Sequence, residues 1–148
     1  MAVLRTIHTG LTVHDLEQMK GFFVDCLGAQ AGETRQIPAG ETLGHITGVQ
    51  GAQARVAMLT LPGGHVVELL QYSAPPSATV TAPRPCDIGA AHLALEVESV
   101  ASVAQDSQGF GFQLAGSAQF LTGGLFAGRW VTYIRDSHGF TLELIGGP

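Results

Sequence analysis

The residues best suited to chemistry in this chain are two His and Glu pairs, one in each half. His8 and Glu68 belong to the first half, and His92 and Glu143 belong to the second. Each His begins an apolar, alternating segment, and each Glu lies inside an apolar run that follows a turn. A carboxylate in an apolar strand costs free energy unless it is paired or bound to a metal. Two imidazoles and two carboxylates suit one divalent metal ion, so this pattern predicts a metal-dependent enzyme.

The elements that must position these residues are predicted to repeat. Hydrophobic periodicity predicts a strand, a helix and a hairpin of two strands in each half. In the first half these elements are predicted over 3–13, 15–27, 55–61 and 65–72. In the second half they are predicted over 91–97, 100–108, 130–134 and 140–145. Residues 29–52, which are rich in Gly and polar side chains, stay unassigned.

The repeat also predicts the domain organisation. The hairpins align without a gap, 60–68 against 135–143, and this alignment places Glu68 on Glu143. We therefore predict one domain over 1–148, built from a first module over 1–72 and a second module over 91–148. The Pro-rich stretch 73–90 is predicted to be a linker.

Composition excludes several classes of function. The net charge of −5, with 7 Lys and Arg residues, argues against binding to nucleic acid, which needs basic patches. No uninterrupted apolar run is long enough to span a membrane, and no secretory signal is visible. Cys26 and Cys86 match no disulfide or metal spacing, so we expect reduced thiols and a cytoplasmic protein. Because only 13% of residues are charged, we expect an apolar partner surface and a homodimer.

Taken together, these stretches resemble the vicinal oxygen chelate superfamily, which includes glyoxalase I, methylmalonyl-CoA epimerase, extradiol dioxygenases and the fosfomycin and bleomycin resistance proteins. The resemblance is carried by residues 8–13, 15–17, 22–23, 27–28, 64–70, 92–97 and 136–145. It implies an α+β fold of two βαβββ modules that form a cup-shaped mixed sheet around a metal site. It also implies that His8, Glu68, His92 and Glu143 are the metal ligands.

The ligand set that the resemblance implies favours proton transfer. Superfamily members with two His and two Glu ligands are isomerases or lyases that act on a small carbonyl or thioester substrate through an enolate-like intermediate. Glu143 or Glu68 would be the catalytic base. The ion is expected to be Ni, Co, Zn, Mn, Mg or Fe. The strand over 55–61 lacks the additional acid that the epimerase branch has there. A non-heme iron extradiol-type dioxygenase and a non-catalytic drug- or metabolite-binding resistance protein are the alternatives.

Strand parity predicts the residues that bind a small-molecule substrate. Side chains alternate between faces with a period of two, so residues that share the parity of Glu68 and Glu143 face the same way. If the superfamily register holds, the substrate contacts are Met58, Arg129, Val131 and Tyr133, with Val56 beside them. This set suits a small organic anion with an apolar part. Glu96 shares the parity of His92, whereas Glu98 is expected in solvent.

The remaining histidines are predicted to lie in loops and to be solvated. They are His14, His45, His65 and His138. The loop that holds Glu41 and His45 is a candidate lid.

Overall fold

The computed structural model describes residues 2–77 and 81–148. The chain divides into two compact units, Met1–Thr79 and Val80–Pro148. The predicted linker over 73–90 includes residues 78–80, which lie outside the described residues. Within the described part of the chain, no helix combines the length and the apolar character needed to cross a membrane.

The first unit is a four-stranded mixed sheet with two helices. Its elements are β1 (Thr9–Thr12), α1 (Leu16–Gly21), a wider π-helical turn (Phe22–Cys26), β2 (Gln30–Ile37), α2 (Glu41–Thr47), β3 (Gln53–Thr60) and β4 (Val66–Ala74). The strand order is β1-β4-β3-β2. β1 runs parallel to β4, and the other pairs are antiparallel. This is the predicted βαβββ module, with α2 inserted before β3.

The predicted first strand is shorter in the structure. We expected a strand over 3–13, but β1 begins only at Thr9. The parallel register places Thr9 opposite Val67, and β4 begins at Val66. Residues before His8 therefore extend past the start of β4 and have no strand to pair with. Val3 and Leu4 are almost fully exposed as a result.

The two faces of the first sheet pack differently. α1 begins at its predicted cap, where the Asp15 carboxylate accepts a hydrogen bond from the Gln18 amide. α1 covers one face, on which Leu59 and Leu69 are fully buried. The other face carries Glu68 and is called the front face below. On it, Leu43 of α2 packs with Val56 and other apolar residues of β3 and β4.

The second unit repeats the plan around a five-stranded sheet. Its elements are β5 (His92–Ser99), α3 (Val100–Asp106) with a 3-10 turn (Ser107–Phe110), β6 (Gln113–Leu114), β7 (Gln119–Phe120), β8 (Trp130–Arg135) and β9 (Thr141–Gly147). The order is β5-β9-β8-β6, and β7 also pairs with β8. β5 and β9 are parallel. The second strand of the module is thus split into β6 and β7. The predicted α+β class, with two mixed sheets and short helices, is confirmed.

The turn between β8 and β9 fixes the position of Glu143. The Asp136 carboxylate accepts hydrogen bonds from the amides of His138 and Phe140, at 2.9 and 2.8 Å. Gly139 has a φ of 92°, which an L side chain rarely adopts. A side chain there would also meet Pro83 at 2.9 Å. The hairpin register that pairs Glu143 with Tyr133 follows from this tight turn.

Close approach of β5 to β9 requires a glycine at position 146. A Cβ on Gly146 would lie 1.9 Å from the Val97 carbonyl oxygen, so a side chain there would force the two strands apart. We predict that Gly146→Ala lowers the free energy of unfolding by roughly 1–3 kcal/mol or more, as measured by urea denaturation. The matched control is Gly116→Ala, because no atom lies within 4 Å of a Cβ there. Equal effects of the two variants would contradict this explanation.

Candidate metal and catalytic site

The first His and Glu pair lies at the parallel junction of β1 and β4. Gly10 stands directly opposite Glu68, and His8 lies two residues earlier, on the same face. The His8 Nε2 atom is 3.2 Å from the Glu68 Oε2 atom. Both side chains stay partly accessible, with 35% of His8 and 25% of Glu68 exposed. The pair is thus both formed and open to a ligand.

The second pair repeats this arrangement in the other unit. Ala94 stands opposite Glu143 and His92 stands opposite Thr141, on parallel strands β5 and β9. The His92 Nε2 atom is 3.3 Å from the Glu143 Oε2 atom. In both units the residue facing the Glu is small, Gly10 or Ala94. A Cβ on Gly10 would already lie 3.6 Å from the Glu68 carboxylate, so a large side chain would compete with the histidine for this space.

The antiparallel neighbour of each Glu matches its sequence prediction. Met58 lies opposite Glu68, and Tyr133 lies opposite Glu143. Val131 lies opposite Ile145, one step further along the same face. The structure therefore places Met58, Tyr133 and Val131 on the faces that carry the glutamates. Their role in substrate binding stays a prediction.

Tyr133 is the most polar of these neighbours, and its ionisation is perturbed. Its ring centroid lies 5.1 Å from that of His92. Burial raises the pKa of the Tyr133 phenol above its usual value, and the charge of Glu143 raises it further. The phenol thus stays protonated near neutral pH, where it can donate a hydrogen bond.

Arg129, which was predicted to contact an organic anion, forms an ion pair within the protein. Its guanidinium Nη1 lies 2.5 Å from Glu96 Oε1. The parity of Glu96 with His92 was the available signal for this partner, but sequence alone does not reveal that the two side chains meet. Arg55, by contrast, pairs with Glu17 on the face that α1 covers.

One loop histidine has a structural partner that the sequence did not indicate. His65 Nε2 lies 3.1 Å from the hydroxyl of Thr9, the residue that follows His8. This contact ties the start of β1 to the turn before β4. His65 nevertheless stays exposed, as expected for a histidine beside this turn. His45, which we predicted to lie in a loop, instead lies in α2.

The donor atoms of each pair are spaced as ligands of one ion would be. Two donors that are each about 2.1 Å from the same ion lie about 3.0 Å apart at a right angle and about 3.4 Å apart at the tetrahedral angle. The distances of 3.2 and 3.3 Å fall between these values. Within residues 2–77 and 81–148, no group of three or more His, Cys, Asp or Glu side chains is close enough to hold a metal. Each unit by itself therefore offers two donors.

Comparison with known proteins identifies relatives of the whole chain. Residues 7–133 match the family model described as the glyoxalase/bleomycin resistance protein/dioxygenase superfamily. A 2-epi-5-epi-valiolone epimerase from an Actinomyces species is 37% identical over 145 residues, which cover 95% of this chain and 78% of the relative.

Solved structures show the same fold. A glyoxalase family protein from Bacillus cereus matches with a TM-score of 0.83 and 22% identity, covering 99% of this chain and 95% of its own. The fosfomycin resistance protein FosX from Listeria monocytogenes, solved with Mn(II) and a sulfate ion, matches with a TM-score of 0.58 and 13% identity. That alignment covers 99% of this chain and 95% of FosX.

The pKa of Tyr133 provides a test of this geometry. In a Tyr72→Phe background, Tyr133 is the only tyrosine, so its ionisation can be followed by ultraviolet absorbance in protein freed of metal. Adding Glu143→Gln removes the carboxylate charge, and we predict that the pKa of Tyr133 falls toward its usual value but stays above it, because burial remains. An unchanged pKa would show that the Glu143 charge does not reach the phenol.

Proposed function

Since the chain belongs to the glyoxalase/bleomycin resistance protein/dioxygenase superfamily, we propose that it is a metal-dependent isomerase. Specifically, we propose an epimerase that moves a proton at a carbon next to the carbonyl of a small hydroxylated ketone. The observation that carries this proposal is the equivalence of Glu68 and Glu143, each held beside a histidine at the same strand register. The epimerase relative, at 37% identity, supports the reaction type.

The proposed metal ligands are His8, Glu68, His92 and Glu143. Imidazole and carboxylate are ligands that Mn, Fe, Co, Ni and Zn all accept. FosX, which shares the fold, holds Mn(II). A divalent ion bound by these residues would act as a Lewis acid toward the substrate carbonyl and make the adjacent C–H more acidic.

The proposed work of the glutamates is proton transfer. Inversion of a carbon requires that a proton leave one side of the carbon and that another arrive on the opposite side. One glutamate, as the carboxylate, would accept the first proton, and the other, protonated as the carboxylic acid and released from the ion, would donate the second. Proton exchange with solvent would then restore both groups. The side chains of Glu68 and Glu143 are only 25% and 16% exposed, which limits their solvation by water. Tyr133, which stays protonated, would donate a hydrogen bond to a substrate oxygen.

β3 lacks the additional acid that the epimerase branch of the superfamily has on this strand, which by itself would argue against epimerisation. The strand holds Met58 at the position that faces Glu68. The relative that is 37% identical is nevertheless an epimerase. We therefore place epimerisation ahead of glyoxalase-type isomerisation of a thiol adduct, a reaction that uses the same kind of proton transfer.

Metal content tests the ligand assignment. We predict that protein purified without a metal-binding tag contains one divalent ion per chain by elemental analysis. His8→Ala and His92→Ala should each reduce the content well below one, because each removes a ligand. Glu98→Gln is the matched control and should retain the ion. Full retention of metal in both His variants would contradict the assignment.

Replacing the Glu143 carboxylate with an amide tests whether Glu143 is the catalytic base. With 2-epi-5-epi-valiolone as the trial substrate, we predict that Glu143→Gln lowers kcat by at least about 100-fold, since a positioned acid or base contributes that much. Circular dichroism and metal content should be recorded for the same sample, so that loss of the fold or of the ion is distinguished from loss of the base. Full activity in this variant, or in Glu68→Gln, would refute the proposed roles.

A further inference from the structure

The Glu96 and Arg129 ion pair lies on the same sheet face as Glu143. Glu96 stands opposite Ile145, two residues beyond Glu143 along β9. That separation corresponds to about 7 Å along the strand. Arg129 immediately precedes β8 and shares the parity of Val131 and Tyr133. The pair therefore lies at the edge of the face of the second sheet that carries Glu143, the proposed catalytic carboxylate.

The two side chains meet across the central strand of the sheet. β9 lies between β5 and β8, so a contact between Glu96 and Arg129 has to cross it. The pair remains accessible to a ligand, with 72% of the Glu96 side chain and 44% of the Arg129 side chain exposed.

The charge around Arg129 is locally balanced. Its nearest charged partner is Glu96, at 2.5 Å. Arg135, the other cation of β8, lies six residues further along, about 20 Å away at the rise of a strand. The Arg135 guanidinium donates hydrogen bonds to the Thr141 hydroxyl and the Pro83 carbonyl. An anion brought to the face beside Glu143 would meet two carboxylates and one guanidinium that is already neutralised.

We propose that the Glu96 and Arg129 pair selects neutral, hydroxyl-bearing substrates and rejects anionic ones. This inference rests on the proposed function and names the substrate class for it. The Arg129 guanidinium has five N–H groups, and those that do not bond to Glu96 can donate to hydroxyl oxygens. The Glu96 carboxylate retains lone pairs that accept from hydroxyl protons. A phosphate monoester or a free carboxylate would need the full charge of Arg129, which Glu96 offsets.

Stability is a small part of what this pair provides. Exposed ion pairs contribute about 0–1 kcal/mol in double-mutant cycles. Glu96→Gln should therefore fold like the wild-type protein, and its effect should appear in ligand selectivity. Glu98→Gln removes the same charge two residues away on the same strand. Glu98 forms no ion pair or hydrogen bond through its side chain among the described residues, which makes it a matched control.

Binding of inorganic phosphate tests the inference without relying on turnover. At low ionic strength, metal-free Glu96→Gln should bind phosphate about three- to fivefold more tightly than the wild-type protein, a change of the size expected for an exposed ion pair. The gain should weaken as salt is added. It should vanish in the double variant that also carries Arg129→Gln. An equal gain in Glu98→Gln, or no gain in Glu96→Gln, would overturn the inference.

Steady-state kinetics with two trial substrates provide a second test of the inference. With 2-epi-5-epi-valiolone and its phosphate monoester as trial substrates, the wild-type protein should have the higher kcat/KM for the neutral ketone. Glu96→Gln should raise the KM for the ketone and lower the KM for the ester, and Glu98→Gln should change neither. If neither compound is epimerised by the wild-type protein, the proposed function fails, while phosphate binding still decides the role of Glu96. Wild-type preference for the ester would overturn the inference.

Discussion

The register of two parallel strand pairs, β1 with β4 and β5 with β9, is the constraint on which the rest of this structure depends. In each pair a small residue lies opposite the glutamate, and the histidine lies two positions earlier on the same face. A shift of one residue would turn every side chain of a strand to the other face. It would separate His8 from Glu68 and place an apolar residue beside the carboxylate. In the second unit, Gly146 allows the close approach of β5 to β9, and the tight turn at Asp136 and Gly139 sets the register of β8 against β9.

The same register organises the electrostatics of each face. Each glutamate lies beside its histidine, and in the second unit the Tyr133 phenol stands opposite Glu143. Arg129, which could have added a positive charge, is paired with Glu96. The result is a surface that has hydrogen-bonding groups but little free positive charge. Under the proposed selectivity, such a surface would favour a hydroxylated ketone over a phosphorylated or carboxylated one.

Much of this arrangement could be predicted from the sequence, because it follows from periodicity. Alternation with a period of two placed Met58 with Glu68 and Tyr133 with Glu143, and the structure pairs them directly. The hairpins were found because turn residues and apolar runs are local signals. The unassigned stretch 29–52 contains β2 and α2. It has five glycines and its strand is mostly exposed, so no apolar period marks these elements.

Other features depend on contacts that a sequence pattern does not contain. Residues 3–7 alternate like a strand but lie beyond the start of β4. The pairing of Arg129 with Glu96 and the contact of His65 with Thr9 each join residues far apart in the chain. Alternation cannot tell a paired strand from an unpaired one, because the partner strand supplies the hydrogen bonds that define it.

Proton exchange with solvent tests the central claim most directly. If the two glutamates move a proton at a carbon next to a ketone, 2-epi-5-epi-valiolone incubated with the metal-loaded protein in D2O should be epimerised. Proton NMR should then find solvent deuterium at the inverted carbon, with no oxygen consumed. Inversion without deuterium, oxygen uptake with ring cleavage, or binding of the ketone with no turnover in any of the candidate metals would each contradict the account.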